Sequence, residues 1–185
     1  MMNKDIYLYL AGSLTYLLTH NMFYKATRWR NDLDTWALDN GIKTFNPAKV
    51  YSVEKNHNYS DKMIVDQNNF FLNKTTIMVV QLEYLDQSPG TIYELISYKT
   101  MGKPVIAFGG GGALETVIDK VTGLFFYEQK PSALKDRILE FINIENNFDP
   151  KIIRKHALGF DEEVFKKKII NFIISKYSDF LKNKN

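Results

Sequence analysis

The chain has 185 residues, 45% of them apolar, and a net charge of +3, which suits one globular domain or one domain with an appendage. It contains no cysteine, which excludes disulfides, thiolate catalysis and cysteine-ligated metal sites. The three histidines, His20, His57 and His156, have no metal-ligand spacing, and the lysines and arginines are spread so evenly that no nucleic-acid groove is demanded.

The opening "MMNKDIYLYLAGSLTYLL" has an apolar run broken by Ser13 and Thr15. Its alternation predicts a first strand, "IYLYLAG", rather than a signal peptide. "ATRWRNDLDTWALDNG" predicts an amphipathic helix, with Leu33, Trp36 and Ala37 on one face and Gly41 as its stop. "IKTFNP" is a short strand closed by Pro47. Residues 48–60 are polar and aperiodic, which predicts a loop. "DKMIVDQNNFFLNK" reads as a helix and "TTIMVVQLEY" as a buried strand. Ser88 is placed as an N-cap with Pro89 at the first helical position, and that helix runs to Gly102. "KPVIAFG" and "GLFFYE" are further strands. "KPSALKDRILEFINI" and "DPKIIRKHALG" are helices. The last helix, "DEEVFKKKIINFIISKYSDFLKN", carries Phe165, Ile169, Phe172, Ile173 and Phe180 on a broad apolar face, which predicts packing on the sheet. No run reaches the roughly 18 apolar residues of a membrane span, so the expected location is cytoplasmic.

Strands alternating with helices predict an α/β fold: a Rossmann-like three-layer sandwich with a five-stranded parallel sheet and a C-terminal helical tail. Sites in such sheets lie at the carboxyl ends of strands, near the topological switch point. That rule selects the loops after Leu10, Leu82 and Phe108.

The stretch "SPGTIYELISYKTMGKPVIAFGGGGALETVID" occupies two of those loops. Gly90 and Thr91 fall in the first turn of their helix, where backbone N–H groups and the dipole favour negative charge. Glu94 follows one turn later, so its carboxyl is expected to stay ionised at neutral pH. An ionised carboxylate beside a pocket can attack an electrophilic carbon and form an ester. From spacing alone, a surface glutamate on an amphipathic helix remains the alternative.

Residues 6–107 resemble the nucleoside 2-deoxyribosyltransferase family, which includes 2′-deoxynucleoside 5′-monophosphate N-glycosidases. "IYLYLAGS", "WRNDLDTWALDNGIKTFNP", "IVDQNNFFLNKTTIMVVQLE" and "SPGTIYELISYKTMGKPVI" carry the resemblance. It implies that Glu94 is the nucleophile of a retaining double displacement through a glycosyl-enzyme ester, with water or a second base taking the sugar. It places Tyr9, Gly12 and Ser13 at the sugar or phosphate, and Ser88 and Gly90 at the sugar side of the pocket. Asn68 stands where the family usually has an acid that handles the base, and Thr76 where a second acid is common. An amide can bind a base edge but cannot donate a catalytic proton. The resemblance implies a small-molecule nucleoside or nucleotide as partner, no metal or redox cofactor, and a homo-oligomer that completes the pocket.

"GKPVIAFGGGGALETVIDKVTGLFFYE" and "FDPKIIRKHALGFDEEVFKKKIINFI" resemble the end of the C-terminal domain of GT-B glycosyltransferases, over about residues 102–174. That resemblance implies that Gly109 and Gly110 lie beside a donor diphosphate; a tight strand-to-helix turn explains the glycines equally well. Asp86 and Glu94 reproduce the interval of two donor-site acids in those enzymes, although the helix from Glu94 to "GKPV" is about three residues longer. The chain is expected to be one α/β domain, deoxyribosyltransferase-like over 1–107 and glycosyltransferase-like over 108–185. Glu94 supplies the chemistry in the leading expectation. The alternatives are a nucleotide-sugar glycosyltransferase-like protein and a non-catalytic nucleotide-binding module.

Trp29 and Trp36, seven apart, are expected in the core. Arg28 and Arg30 are expected to be solvated, with a phosphate contact as the alternative. Glu115 is expected to cap a short helix rather than bind ligand. Of Tyr7 and Tyr9, one is expected to face the core and the other the pocket edge or the opposite face of the sheet.

Overall fold

The protein is described by a computed structural model over residues 5–50 and 60–182. The chain runs through β1 (Tyr7–Ala11), α1 (Thr15–Thr19), α2 (Phe23–Asp39), β2 (Lys43–Phe45), α3 (Pro47–Val50) and α4 (Asp61–Lys74). It continues through β3 (Ile77–Val80), α5 (Pro89–Thr100), β4 (Val105–Phe108), α6 (Ala113–Thr116) and β5 (Gly123–Phe126). It closes with α7 (Pro131–Ile144), α8 (Pro150–Leu158) and α9 (Glu162–Lys182). Of the expected loop at 48–60, residues 51–59 lie outside the described residues, and α3 occupies its start.

The five strands form one parallel sheet in the order β2-β1-β3-β4-β5. This is the α/β sandwich that the alternating pattern predicts. The order reverses between β1 and β3, so a crevice opens at the carboxyl ends of those two strands.

Alternation along each strand sorts the core into two layers. Leu8, Leu10, Ile77, Val79, Ile106 and Leu124 meet Leu33 and Ala37 of α2 and Ile138 and Phe141 of α7. Tyr9, Ala11, Met78, Val80, Val105 and Phe125 meet Leu72 of α4 and Tyr98 of α5. Trp29 and Trp36 pack against the first layer, as expected. The two tyrosines of β1 correct their expectation. They are two residues apart, so both point into the second layer, with Tyr9 fully buried and Tyr7 partly so.

α4 is held at both ends. Ser60 caps its start by accepting from the Met63 N–H at 3.3 Å. At its end, Lys103 Nζ donates to the carbonyls of Leu72, Asn73 and Thr75 at 2.6, 2.6 and 2.8 Å. A cation there meets both the unpaired carbonyls and the negative end of the helix dipole. α8 returns against α5, where Arg154 Nη1 donates to the Thr100 carbonyl at 2.8 Å. The approach requires Gly102: its φ is +78°, and a Cβ would lie 2.5 Å from the Pro150 carbonyl oxygen.

The last helix departs from expectation. α9 has no buried residue, and Phe165, Ile169, Phe172, Ile173 and Phe180 are between 43% and 60% exposed. By the time the chain reaches Glu162, α2 and α7 cover one face of the sheet, and α4 and α5 cover the other. Both faces of the sheet are thus covered before the stripe arrives. Among the described residues no helix is long and apolar enough to cross a membrane.

Two tests follow from this packing. Removing residues 161–185 leaves both core layers intact, so the truncated chain is expected to melt cooperatively at an unchanged Tm and to bind less of a hydrophobic dye. A lower Tm in a thermal melt would show that α9 supports the body. Lys103→Met leaves three carbonyls at the end of α4 without their donor. It should cost about 1 kcal/mol in a urea unfolding curve, the usual net worth of a hydrogen bond between partly exposed groups.

Candidate functional site

Two cavities open at the carboxyl edge of the sheet, and among the described residues they share no lining side chain. The smaller, about 520 Å³, lies on the α4 and α5 side and includes Gly12, Asn68, Ser88, Gly90, Thr91 and Glu94. The larger, about 990 Å³, lies on the α2 and α7 side and includes Trp29, Gln81, Phe108, Gly110, Gly111 and Lys130.

Glu94 anchors the smaller cavity. α5 begins at Pro89, which fixes the first helical φ, and carries the glutamate into the second turn. The residue is 9% exposed. Its Oε1 accepts from Tyr9 Oη at 2.9 Å and from Asn68 Nδ2 at 2.8 Å. Three distant segments, β1, α4 and α5, thus converge on one carboxyl oxygen. Burial pushes the carboxyl up to about 7, against the pull of the Tyr9 hydrogen bond, the Arg30 charge and the Asn68 hydrogen bond. This corrects the expectation of an acid fully ionised by the helix terminus. Loss of water outweighs the dipole, and the group titrates near neutrality.

The other expected residues divide between the cavities. Gly12, with φ +154°, turns the chain at the end of β1 beside Glu94. Ser13 is 1% exposed, and its hydroxyl has no partner among the described residues. Ser88 stands at the N-cap position of α5 but makes no capping bond; its hydroxyl donates to the Tyr84 carbonyl at 2.8 Å. Asp86 is exposed, accepts from Gln87 Nε2 at 3.0 Å and lines neither cavity, so the paired-acid interval with Glu94 makes no paired site. Thr76 is also remote, its hydroxyl accepting from the Tyr7 N–H at 2.7 Å.

The glycine run does not join Glu94. Gly109 extends the sheet, donating to the Phe126 carbonyl at 2.9 Å, and a Cβ there would sit 2.4 Å from the Tyr127 ring. Gly110 and Gly111 border the larger cavity. Glu115 lies in the first turn of α6 but makes no capping bond. Glu94 and the glycine run therefore face different cavities, on opposite helix layers of the one sheet.

Arg28 and Arg30 also divide. Arg28 is exposed at the larger cavity, whereas Arg30 is fully buried rather than solvated. Its position was legible: Ala26, Arg30, Leu33 and Ala37 follow the 4-3-4 spacing of the buried stripe of α2. The larger cavity carries Lys25, Arg28, Lys130 and Lys135 against Asp32 and Glu83, a balance that favours an anion. No cluster of metal-ligating side chains occurs among the described residues.

Comparison with known proteins supports the second resemblance. The family described as glycosyl transferases group 1 matches residues 43–157. A protein named as an uncharacterized glycosyltransferase of Methanocaldococcus jannaschii is 31% identical over 140 residues, covering 71% of this chain and 37% of that protein. The chain thus spans little more than a third of the length of that relative. The family match begins well before the expected junction at 102–107. Neither finding supports the deoxyribosyltransferase resemblance of residues 6–107; both support the alternative expectation, a glycosyltransferase-like protein. With the matched segment covering more than half of its length, the chain belongs to the glycosyl transferases group 1 family.

Proposed function

We propose that this chain binds a nucleotide-linked sugar in the larger cavity and serves sugar transfer from it. The observation that carries this reading is the pairing of a cationic wall with a glycine turn. Gly110 and Gly111 bring backbone close to the cavity without a Cβ, and Arg28, Lys130 and Lys135 surround it. The N-terminus of α7 opens on the same space at Lys130 and Pro131, adding the positive end of a 14-residue helix. A diphosphate suits that field, and Trp29 offers an apolar surface for a base or sugar. Family membership supports the same chemistry.

Calorimetric titration with UDP- and GDP-sugars tests it. Binding is expected, and Arg28→Glu or Lys130→Glu is expected to weaken it about tenfold, the scale of one charge-assisted contact. Absence of binding, or binding indifferent to both substitutions, would sink the reading.

A second reading has its own observation, the convergence of Tyr9, Asn68 and Glu94 in the smaller cavity. A carboxyl with two donors on Oε1 is oriented, and its second oxygen can attack an anomeric carbon. On this reading the smaller cavity takes a 2′-deoxynucleoside or its 5′-monophosphate. Glu94 adds to C1′, the base leaves with the bonding electrons, and water or another base then displaces the carboxylate. The nucleophile must be ionised, so base release should rise with pH through about 7. Glu94→Ala should lower it at least about a hundredfold. Asn68→Asp sets a second carboxyl against Oε1, so one member of the pair retains a proton and can serve as general acid. It should raise release from deoxyadenosine by about a hundredfold. Chromatography of released base decides; undiminished release by the alanine variant would end this reading.

The raised titration also has a stability signature. Folded Glu94 holds its proton to about pH 7, while the unfolded carboxyl releases it near 4.5. Its contribution is fully present below 4.5 and is lost as pH rises through about 7. Glu94→Gln should therefore gain stability relative to the parent chain between about pH 5 and about pH 8, as read by Tm at each pH.

A further inference from the structure

Arg30 is the largest fully buried side chain of the described residues, and it is a charged one. A buried guanidinium ordinarily meets a carboxylate, because an uncompensated interior charge is expensive. Here Nε donates to the Leu10 carbonyl at 3.1 Å and Nη1 to the Ala26 carbonyl at 2.7 Å. Nη2 is buried without a hydrogen-bond partner. The ring of Trp29 lies 4.6 Å from the guanidinium carbon. The group is thus locked between the end of β1 and the first half of α2.

The unpartnered nitrogen sits beneath the turn that leads into the smaller cavity. A Cβ at Gly12 would lie 2.9 Å from Nη2, so the turn rests directly on the guanidinium and an added methyl would push it aside. The charges that feel Arg30 from across the turn are Glu94 and Tyr9, the hydrogen-bonded pair of the smaller cavity. Among the described residues, the titratable or charged groups that act on Glu94 are Tyr9 from β1 and Arg30 from α2. α4 adds the neutral amide of Asn68, and α1 adds the Tyr16 side chain to the cavity wall.

We propose that Arg30 is a positioning residue for Glu94: its guanidinium, pinned under the Gly12 turn, supplies the fixed positive field that makes a carboxylate tenable in the smaller cavity. The inference rests on Glu94 being the acting carboxyl of that cavity. It assigns Arg30 no contact with substrate. It also accounts for Gly12, whose missing Cβ lets the turn close over the charge.

The test reads Glu94 directly. The full chain is labelled with ¹³C at the glutamate side-chain carboxyls, and the Glu94 signal is assigned by its loss in Glu94→Gln. Its titration midpoint is then compared with that in Arg30→Met. Removal of the charge should raise the midpoint, because a nearby opposite charge favours the ionised carboxylate. Arg30→Lys, which keeps a charge but loses the fork, should give a smaller rise. Gly12→Ala, which keeps the arginine and forces it aside, should also raise the midpoint, and it decides the matter if Arg30→Met does not fold. An unchanged midpoint in a folded Arg30→Met chain, or in Gly12→Ala where that chain does not fold, overturns the proposal. No turnover is needed, so a chain that releases no base still decides for or against Arg30. Failure of base release would instead count against the reading of Glu94.

Discussion

Taking a carboxyl group out of water costs several kcal/mol unless donors or charges meet it. Glu94 is met by Tyr9 from β1, by Asn68 from α4 and by the field of Arg30 from α2. Those partners lie 85, 26 and 64 residues away in sequence. They come together because β1 is an inner strand, flanked by β2 and β3, and because α2 and α4 pass on opposite sides of it. The compensation is partial, so the carboxyl titrates near neutrality rather than near 4.5. A group so balanced can hold or release a proton under ordinary conditions, which is the property that acid–base and nucleophilic chemistry require.

The same sheet provides two places for a ligand. The switch between β1 and β3 opens the smaller cavity towards α5, and the loops after β3, β4 and β5 frame the larger one towards α7. Their chemistry differs. The smaller cavity is built around one buried acid and several hydroxyls; the larger has a surplus of cations and an indole. A phosphate-bearing donor is favoured in the second by charge, and an electrophilic sugar carbon in the first by the poised carboxyl. The glycine run contributes to the cationic cavity through Gly110 and Gly111, while Gly109 serves the sheet.

Beyond β5 the chain divides in purpose. α7 closes one layer of the core, and α8 locks onto α5 through Gly102 and Arg154 and onto α6 through His156 Nε2, 3.1 Å from the Thr116 carbonyl. α9 then continues with an apolar arc exposed. Amphipathicity in a sequence states that a helix has a face to cover. Whether this chain has a surface left to cover it depends on what earlier helices have already occupied.

The sequence by itself determined the strands, the longer helices of the body and their alternation. Period-two alternation in "IYLYLA" and the apolar runs "IMVV" and "VIAF" mark strands, and Pro89 marks a helix start, because these signals act within a few residues. The motif after Pro89 singled out Glu94 for the same local reason. Tertiary structure alone decided the rest. Burial of Glu94 moved its titration up to about 7, since desolvation depends on neighbours that no local pattern names. The separation of Glu94 from the glycine run followed from which helix layer each loop faces. Arg30, a charged residue at an apolar position of α2, became an interior charge because β1 and the Gly12 turn close over it. Those outcomes depend on which distant segments pack together, and packing is settled only when the whole sheet has assembled.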